Sequence, residues 1–95
     1  MSLEFEWDSK KGKTNLFKHG VSFDEALTVF RDPLAQIFDD EDHSVEERRE
    51  IVIGQSIKGK LLLVCFTAEK ERVRIFSARK ATRRERGDYE ENVKS

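Results

Sequence analysis

The chain has 95 residues, 39% charged and 37% hydrophobic, with one proline and five glycines, a composition that excludes a disordered protein and predicts one domain over residues 1–95. Its single cysteine excludes an intrachain disulfide and a cysteine zinc cluster, and no apolar run is long enough to span a bilayer. Because the N-terminus resembles neither a signal peptide nor a transit peptide, we expect a protein of the reducing cytoplasm, without membrane contact.

The first forty residues are predicted to form two strands that flank two helices. Leu16 and Phe17 give the first helix an apolar side, and Gly20 follows it in the C-cap position. Ser22-Phe-Asp-Glu25 matches a capping box that starts the second helix, and Asp32-Pro33 ends it, because the residue before a proline avoids the helical region. The predicted elements are a strand at 5–8, helices at 9–19 and 22–31, and a strand at 34–38.

The second half of the chain is predicted to form three more strands and a last helix. The segment 61–67 is apolar throughout, as expected of a central strand that is covered on both faces. Val73 and Ile75 alternate with arginines, which indicates a strand with one buried face. The predicted strands are 49–56, 61–67 and 73–78. The sequence therefore predicts an α+β domain in the order β-α-α-β-β-β-β-α, with an antiparallel sheet packed by helices.

The segment 72–86 is strongly basic, with seven Lys/Arg and one Glu, a net charge of +6, whereas the segment 32–50 has a net charge of −6. Thr82-Arg-Arg-Glu85 matches a second capping box, so Arg83 and Arg84 fall in the first helical turn, where the helix dipole disfavours cations. Backbone amides, the dipole and clustered guanidinium groups together favour a phosphate site here. The alternative is a solvated, charged helix start without a ligand.

Further side chains of the basic segment are candidates for RNA contact. Alternation places Phe76 on the same strand face as Arg72 and Arg74. An aromatic ring among arginines can stack an unpaired base, or it can simply meet the helix that covers the sheet. Arg84 and Arg86 extend the basic surface along the last helix.

A series of different motifs, in a fixed order, extends through nearly the whole chain, over residues 6–89. The most specific is Arg74-Ile-Phe-Ser-Ala-Arg-Lys-Ala-Thr-Arg-Arg-Glu-Arg86, followed by Tyr89. The others are Phe5-Glu-Trp-Asp8, Asn15, Lys18-His-Gly-Val-Ser-Phe23, Glu25-Ala26, Val29-Phe30, Asp32-Pro-Leu34, Asp42-His-Ser44, Arg49 and Ile53-Gly54. Together these motifs resemble the BrnT toxin family, which is related to the RelE/ParE toxins.

The resemblance implies a RelE-like fold and a type II toxin, a small ribonuclease that cuts RNA. It also implies a BrnA-like antitoxin, encoded beside the toxin, that binds DNA through a ribbon-helix-helix-like domain, so that this chain meets DNA only through its partner. Two positions depart from the family pattern: Glu69 stands where many relatives have an arginine, and Phe76 replaces a more usual isoleucine. If the missing arginine holds RNA, Arg72 or Arg74 would replace it.

Metal-free RNA cleavage needs a base near the 2′-hydroxyl, an acid for the leaving 5′-oxygen and cations near the phosphate. The candidate cations surround the junction of the last strand and helix and are Arg79, Lys80 and Arg83. The candidate acids and bases, which the sequence does not rank, are His19, His43, Glu47 and Tyr89. The alternatives are that His19 neutralises a helix dipole and that Tyr89 packs in the core. No metal site or cofactor is predicted, since the acidic run 39–42 lacks the alternation of a calcium loop.

Three classes of function remain open from the sequence. The first is a toxin that cleaves RNA, which the basic segment and the resemblance favour. The second is a non-catalytic toxin or regulator that blocks a protein target. The third is a binding module whose basic surface only holds an acidic antitoxin. RNA degradation by the purified chain separates the first class from the other two.

Overall fold

The computed structural model describes residues 3–41 and 48–94, which form one sheet and its covering helices. The strands are β1 (Glu4–Glu6), β2 (Gln36–Asp39), β3 (Glu50–Gln55), β4 (Leu61–Glu69) and β5 (Arg72–Lys80). The helices are α1 (Ser9–His19), α2 (Phe23–Ala26), which continues as a 3₁₀ turn (Leu27–Arg31), and α3 (Arg83–Lys94). Within the two described ranges, no helix is long and apolar enough to cross a membrane.

The strands lie in the order β1-β5-β4-β3-β2, so that β4 is central, as its apolar sequence predicted. Strands β2 to β5 pair antiparallel, but β1 runs parallel to β5, with Glu4 opposite Arg72 and Glu6 opposite Arg74. The prediction of a purely antiparallel sheet is therefore wrong at this edge, and the sheet is mixed. The reason is that alternation marks the buried face of a strand and carries no information on the direction of its neighbour.

Each face of the sheet carries a buried core, and β4 contributes to both cores. Leu61 and Leu63 of β4 pack with Ile53 against Tyr89 of α3, on what we call the α3 face. The opposite face, which we call the α1 face, carries the larger core. Its buried residues are Val21, Phe23, Ala26, Val29, Val52, Leu62, Val64, Phe66, Val73, Ile75 and Ala78. A strand that supplies both cores needs apolar side chains at every position, which explains the unbroken sequence of β4.

The first helix does not have the apolar side that Leu16 and Phe17 predicted. Leu16 is 51% exposed and Phe17 is 91% exposed. The helix is instead bounded by Asp8, whose carboxylate accepts from the amides of Lys10 and Lys11, and by Gly20 at a positive φ of 69°. The buried residue of α1 is polar, Asn15, whose amide binds the backbone of β5.

The two predicted capping boxes differ in the structure. Ser22 accepts from the amide of Glu25 at 3.1 Å, but the Glu25 carboxylate accepts from the hydroxyl of Ser56 at 2.7 Å. The box is thus half formed, and the helix predicted for 22–31 becomes a short α-helix followed by the 3₁₀ turn. At the start of α3 the box is complete: the Thr82 hydroxyl accepts from the Glu85 amide at 3.1 Å, and the Glu85 carboxylate accepts from the Thr82 amide at 2.8 Å.

A β-bulge at Phe76 changes the orientation of the second half of β5. Cys65 lies opposite Ser77, whereas the next residue of β4, Phe66, lies opposite Ile75, so one residue of β5 is extra. Strict alternation from Ile75 would place residue 79 on the α1 face. With the bulge, Ala78 is buried in that core and Arg79, opposite Leu63, lies on the α3 face.

Candidate active site

A cavity of about 400 Å³ lies on the α3 face of the sheet, beside α3. It extends from the end of β2 across β3, β4 and β5 to α1. Side chains of α1 take part because β1 pairs with β5 only as far as Arg74. The lining residues are Lys11, His19, Asp40, Arg49, Ile51, Leu63, Cys65, Phe76, Ser77, Ala78 and Arg79. The cavity therefore combines three cations, a carboxylate, an imidazole and a thiol.

Arg79 has a fixed orientation and two N–H groups left for a ligand. Its Nη1 and Nη2 donate to the two carboxylate oxygens of Glu85 at 2.8 and 2.9 Å, and Nη1 also donates to the Lys80 carbonyl at 3.2 Å. A guanidinium has five N–H groups. Among the described residues none accepts from the remaining two, the Nε–H and the second Nη2–H, which point the same way as a fork. The side chain is 43% exposed, so a phosphate can reach this fork.

Glu85 connects the cavity to the start of α3, since it binds both Arg79 and the Thr82 amide. The hydrogen bonds from Arg79 outweigh the effect of burial and, with those from Thr82, lower the pKa of Glu85 to about 2. The carboxylate stays ionised at neutral pH and holds the guanidinium. It also occupies the Thr82 amide, so the free anion site predicted for this helix start is partly filled by the chain itself.

The pH dependence of stability should reveal this contact. Because the Glu85 pKa is lower in the folded chain than its ordinary value of 4.5, its pairing stabilises the fold above about pH 4.5 and is lost as the pH falls towards 2. We expect Glu85→Gln to cost about 1 kcal/mol at pH 7, and the difference from the parent to shrink between pH 4.5 and 2. Melting temperatures at several pH values measure this. The control is Glu90→Gln, an exposed position of α3.

A cost of Glu85→Gln that stays constant from pH 7 to pH 2 would contradict this account. So would an equal cost for Glu90→Gln, because a general effect of removing one negative charge from α3 would then explain the result.

Phe76 holds two cations of the cavity. The guanidinium carbon of Arg49 lies 4.0 Å from the centre of its ring, and the Lys11 ammonium lies 5.5 Å from it. Contacts of this kind stabilise and orient a cation on an aromatic ring. One of these cations, Lys11, belongs to helix α1, so the ring meets a helix that covers the sheet, which is one of the two alternatives that the sequence left open. Stacking of an unpaired base on the ring stays a prediction.

Asp40 and Cys65 form a pair inside the cavity. Asp40 is buried, with 7% of its surface exposed, and its Oδ2 accepts from the Cys65 thiol at 3.3 Å. Burial raises the pKa of Cys65 to about 12, and the hydrogen bond to Asp40 and its charge act in the same direction. The thiol is consequently protonated at neutral pH, which makes it a hydrogen-bond donor and a poor nucleophile.

The predicted site residues are only partly brought together. Arg79, His19 and Phe76 line the cavity. Lys80 is opposite Leu62, whose side chain is in the core of the α1 face, so Lys80 points away from the cavity. The exposed arginines of α3, which do not line it, are Arg83, Arg84 and Arg86. His43 and Glu47 lie outside the described residues.

The remaining candidates have other partners. Arg72 and Arg74 lie 3.9 Å from carboxylate oxygens of Glu4 and Glu6 on β1. Glu69, the departure from the family pattern, is opposite Arg72 at the far end of β4 and does not line the cavity. Tyr89 packs in the core, as the alternative reading predicted.

The Tyr89 hydroxyl donates to Asp32 at 2.9 Å, and burial followed by this contact raises its pKa to about 12. Tyr89 does not line the cavity, and a phenol with a raised pKa is a poor acceptor of protons at neutral pH, so the structure favours its packing role.

Sequence reasoning missed Lys11, Asp40, Arg49 and Cys65 as site residues. Asp40 was considered only as part of the acidic segment, and Arg49 only in its charge count and among the family motifs. Alternation could have found them: Phe38 is opposite Ile51, and two residues further along each strand Asp40 and Arg49 have the same orientation. The contact of Asp40 with Cys65 joins positions 25 residues apart, and no local pattern indicates it.

Comparison with known proteins agrees with this fold. A family model described as the ribonuclease toxin BrnT of a type II toxin-antitoxin system matches residues 7–85. The chain belongs to the BrnT family of ribonuclease toxins. Such a toxin acts on RNA and has an antitoxin partner. A search of curated proteins gave no significant match.

A solved structure similar to this BrnT-family chain is the 1.1 Å crystal structure of the Brucella abortus ribonuclease toxin BrnT. The match covers 86% of this chain and 100% of that chain, with a TM-score of 0.65 and 24% sequence identity. This likeness shows that the two chains share a fold. The RelE-like character of the fold stays a prediction. Among residues 3–41 and 48–94, no group of three or more His, Cys, Asp and Glu side chains could hold a metal ion.

Proposed function

We propose that this BrnT-family toxin cleaves RNA by metal-independent transesterification in the cavity on the α3 face. The observation that carries the proposal is Arg79, whose guanidinium is held by Glu85 with two N–H groups left over and which lines the same cavity as Arg49 and Lys11. An arginine fork matches two oxygens of a phosphate, and preorganised cations stabilise the charge that develops on phosphorus. These side chains supply the positive charge that a metal ion supplies in other nucleases.

His19 is the candidate general acid of this mechanism. It lines the cavity from the C-terminal end of α1, on the side of β5 that β1 leaves uncovered. Imidazole is the commonest side chain for proton transfer near neutral pH. In this role it protonates the 5′-oxygen that leaves when the 2′-oxygen attacks phosphorus. The products are a 2′,3′-cyclic phosphate and a 5′-hydroxyl end.

The proposal extends to the partner and the compartment. A BrnA-like antitoxin with a ribbon-helix-helix-like domain would neutralise the toxin, and the toxin would meet DNA only through it. We propose that both act in the cytoplasm, where RNA is the available substrate. The exposed arginines of α3 and the neighbouring cavity form a basic surface that an acidic segment of the antitoxin can cover.

Growth of bacteria that express the chain tests the toxin function. We expect induction of the toxin alone to arrest growth and co-expression of the neighbouring antitoxin gene to restore it. The control is Arg79→Ala at an equal level of folded protein, which should grow, since the phosphate fork is lost. Normal growth with the folded parent chain would contradict the proposal.

Cleavage of RNA by the purified chain tests the mechanism. End-labelled RNA, free and on translating ribosomes, is incubated with the toxin in the presence of EDTA. We expect cleavage to persist and to give 2′,3′-cyclic phosphate ends. Cleavage that EDTA abolishes and added Mg²⁺ restores would contradict the metal-independent mechanism.

A further inference from the structure

Asp40 is a buried carboxylate at the edge of the cavity, opposite Arg49. Its amide donates to the Arg49 carbonyl at 2.9 Å, which extends the pairing of β2 and β3 by one step. Both side chains therefore lie on the face of the sheet that carries the cavity, and both line it. The Asp40 side chain is 7% exposed, and a buried carboxylate needs polar partners, of which the Cys65 thiol is one.

The Cys65 thiol fixes the carboxylate. It comes from the central strand β4 and donates to Oδ2 of Asp40 at 3.3 Å. Since the thiol is protonated at neutral pH, it acts as a donor and does not compete for a proton. The contact brings the carboxylate to β4, and Ser77, the partner of Cys65 on β5, lines the same cavity.

We propose that Asp40 is the general base that takes the proton of the RNA 2′-hydroxyl in this cavity. The inference rests on the proposed function and adds the residue that starts the reaction. Asp40 accepts the 2′-proton while the 2′-oxygen forms a bond to phosphorus. The bond from phosphorus to the 5′-oxygen breaks, and that oxygen takes a proton from His19. Arg79 and Arg49 hold the phosphate oxygens throughout. In this step Asp40 gains one proton and His19 loses one.

The other described carboxylate and thiol near the cavity do not fit this role. Glu85 is engaged by Arg79 and Thr82, and a carboxylate with a pKa of about 2 is a weak base. Cys65 holds its proton. Of the described residues that line the cavity, Asp40 and His19 remain as proton acceptor and donor, and they approach β5 from opposite sides, from the β2 side and from α1.

The first test compares Asp40→Asn with Asp39→Asn in single-turnover cleavage. We expect Asp40→Asn to reduce the rate by about 100-fold or more, which is the usual contribution of a general base. Its affinity for an RNA with a 2′-deoxy group at the scissile position should stay within about twofold of the parent. Asp39→Asn makes the same charge change at an exposed neighbour that pairs with Arg48, and it should cleave at the parent rate.

A second experiment distinguishes a general base from a general acid. In an RNA whose 5′-bridging oxygen is replaced by sulfur, the leaving group needs no protonation. The defect of Asp40→Asn should persist with this substrate, whereas a defect of His19→Ala should largely disappear. If Asp40→Asn does not fold, Asp40→Glu, which displaces the carboxylate by about one methylene, carries the same comparison.

Cleavage by folded Asp40→Asn at the parent rate would overturn the inference. A defect at position 40 that the sulfur leaving group restores would also overturn it, because Asp40 would then act on the leaving-group side. A parent chain that cleaves neither free nor ribosome-bound RNA would overturn the proposed function as well. These results are distinguishable, since the first two require an active parent.

Discussion

Arg79→Ala is expected to slow RNA cleavage by roughly 30- to 1000-fold while the fold persists. The guanidinium lines the cavity and keeps two N–H groups beyond those that Glu85 and Lys80 bind. One charge-assisted phosphate contact in a partly enclosed site contributes about 2–4 kcal/mol to a transition state. Arg79→Lys keeps the charge but loses the fork, and it should recover only part of the rate. The measurement is the single-turnover rate together with the melting temperature of each variant.

The matched controls for this prediction are Arg83→Ala and Arg84→Ala. Both remove one positive charge from the exposed start of α3, outside the cavity lining. The sequence alone predicted equal importance for Arg79 and Arg83. In the structure Arg79 lines the cavity and Arg83 does not, so Arg83→Ala should reduce the cleavage rate by several-fold at most. Equal losses for Arg79→Ala and Arg84→Ala would mean that α3 binds RNA by net charge, and the catalytic role of Arg79 would then be wrong.

Asn15→Ala is expected to lower the free energy of unfolding by about 3 kcal/mol. The Asn15 side chain, 6% exposed, donates to the carbonyls of Val21 and Ala78 at 2.9 and 2.8 Å and accepts from the Ala78 amide at 3.1 Å. Its loss leaves three buried backbone groups without this partner, and each such group costs about 1–3 kcal/mol before relaxation. Urea unfolding measures the change. Asn92→Ala, an exposed position of α3, should stay within about 0.5 kcal/mol of the parent.

The site depends on the same contact. β1 pairs with β5 only at residues 72–74, and beyond them the Asn15 amide binds both backbone groups of Ala78, as a neighbouring strand would. Because Ala78 directly precedes Arg79, we expect Asn15→Ala also to reduce cleavage. An Asn15→Ala variant as stable as the parent would contradict this account of how α1 is attached to the sheet.

Local sequence patterns determined the elements of this fold. The capping box at Thr82 and Glu85 predicted the start of α3, and the unbroken apolar run of β4 predicted a central strand. Both patterns act over a few residues, through hydrogen bonds and side-chain orientation that depend on near neighbours in the chain. For the same reason the ordered motifs sufficed to recognise the BrnT family, which residues 7–85 match.

The sequence predicted only some of the residues of the candidate active site. Arg79, His19 and Phe76 stood out by residue type, whereas Lys80 and Arg83 stood out equally and do not line the cavity. Residue type and local charge cannot distinguish the residues that line the cavity from those that do not. The orientation of each side chain decides whether it lines the cavity. For Arg79 this orientation depends on the bulge at Phe76, one extra residue that no turn signal or glycine marks.

The sequence by itself determined which segments are helices and strands, where α3 starts and to which family the chain belongs. Only the tertiary structure decided that β1 runs parallel to β5, that Arg79 shares a face with Cys65, and that Asp40 meets Cys65 across β3. These outcomes join residues that are far apart in the chain, from 14 positions for Cys65 and Arg79 to 68 positions for Glu4 and Arg72. They follow from how the strands of the sheet pair and pack together. The free energy of that packing depends on residues that are far apart in the chain, so no local sequence pattern indicates it.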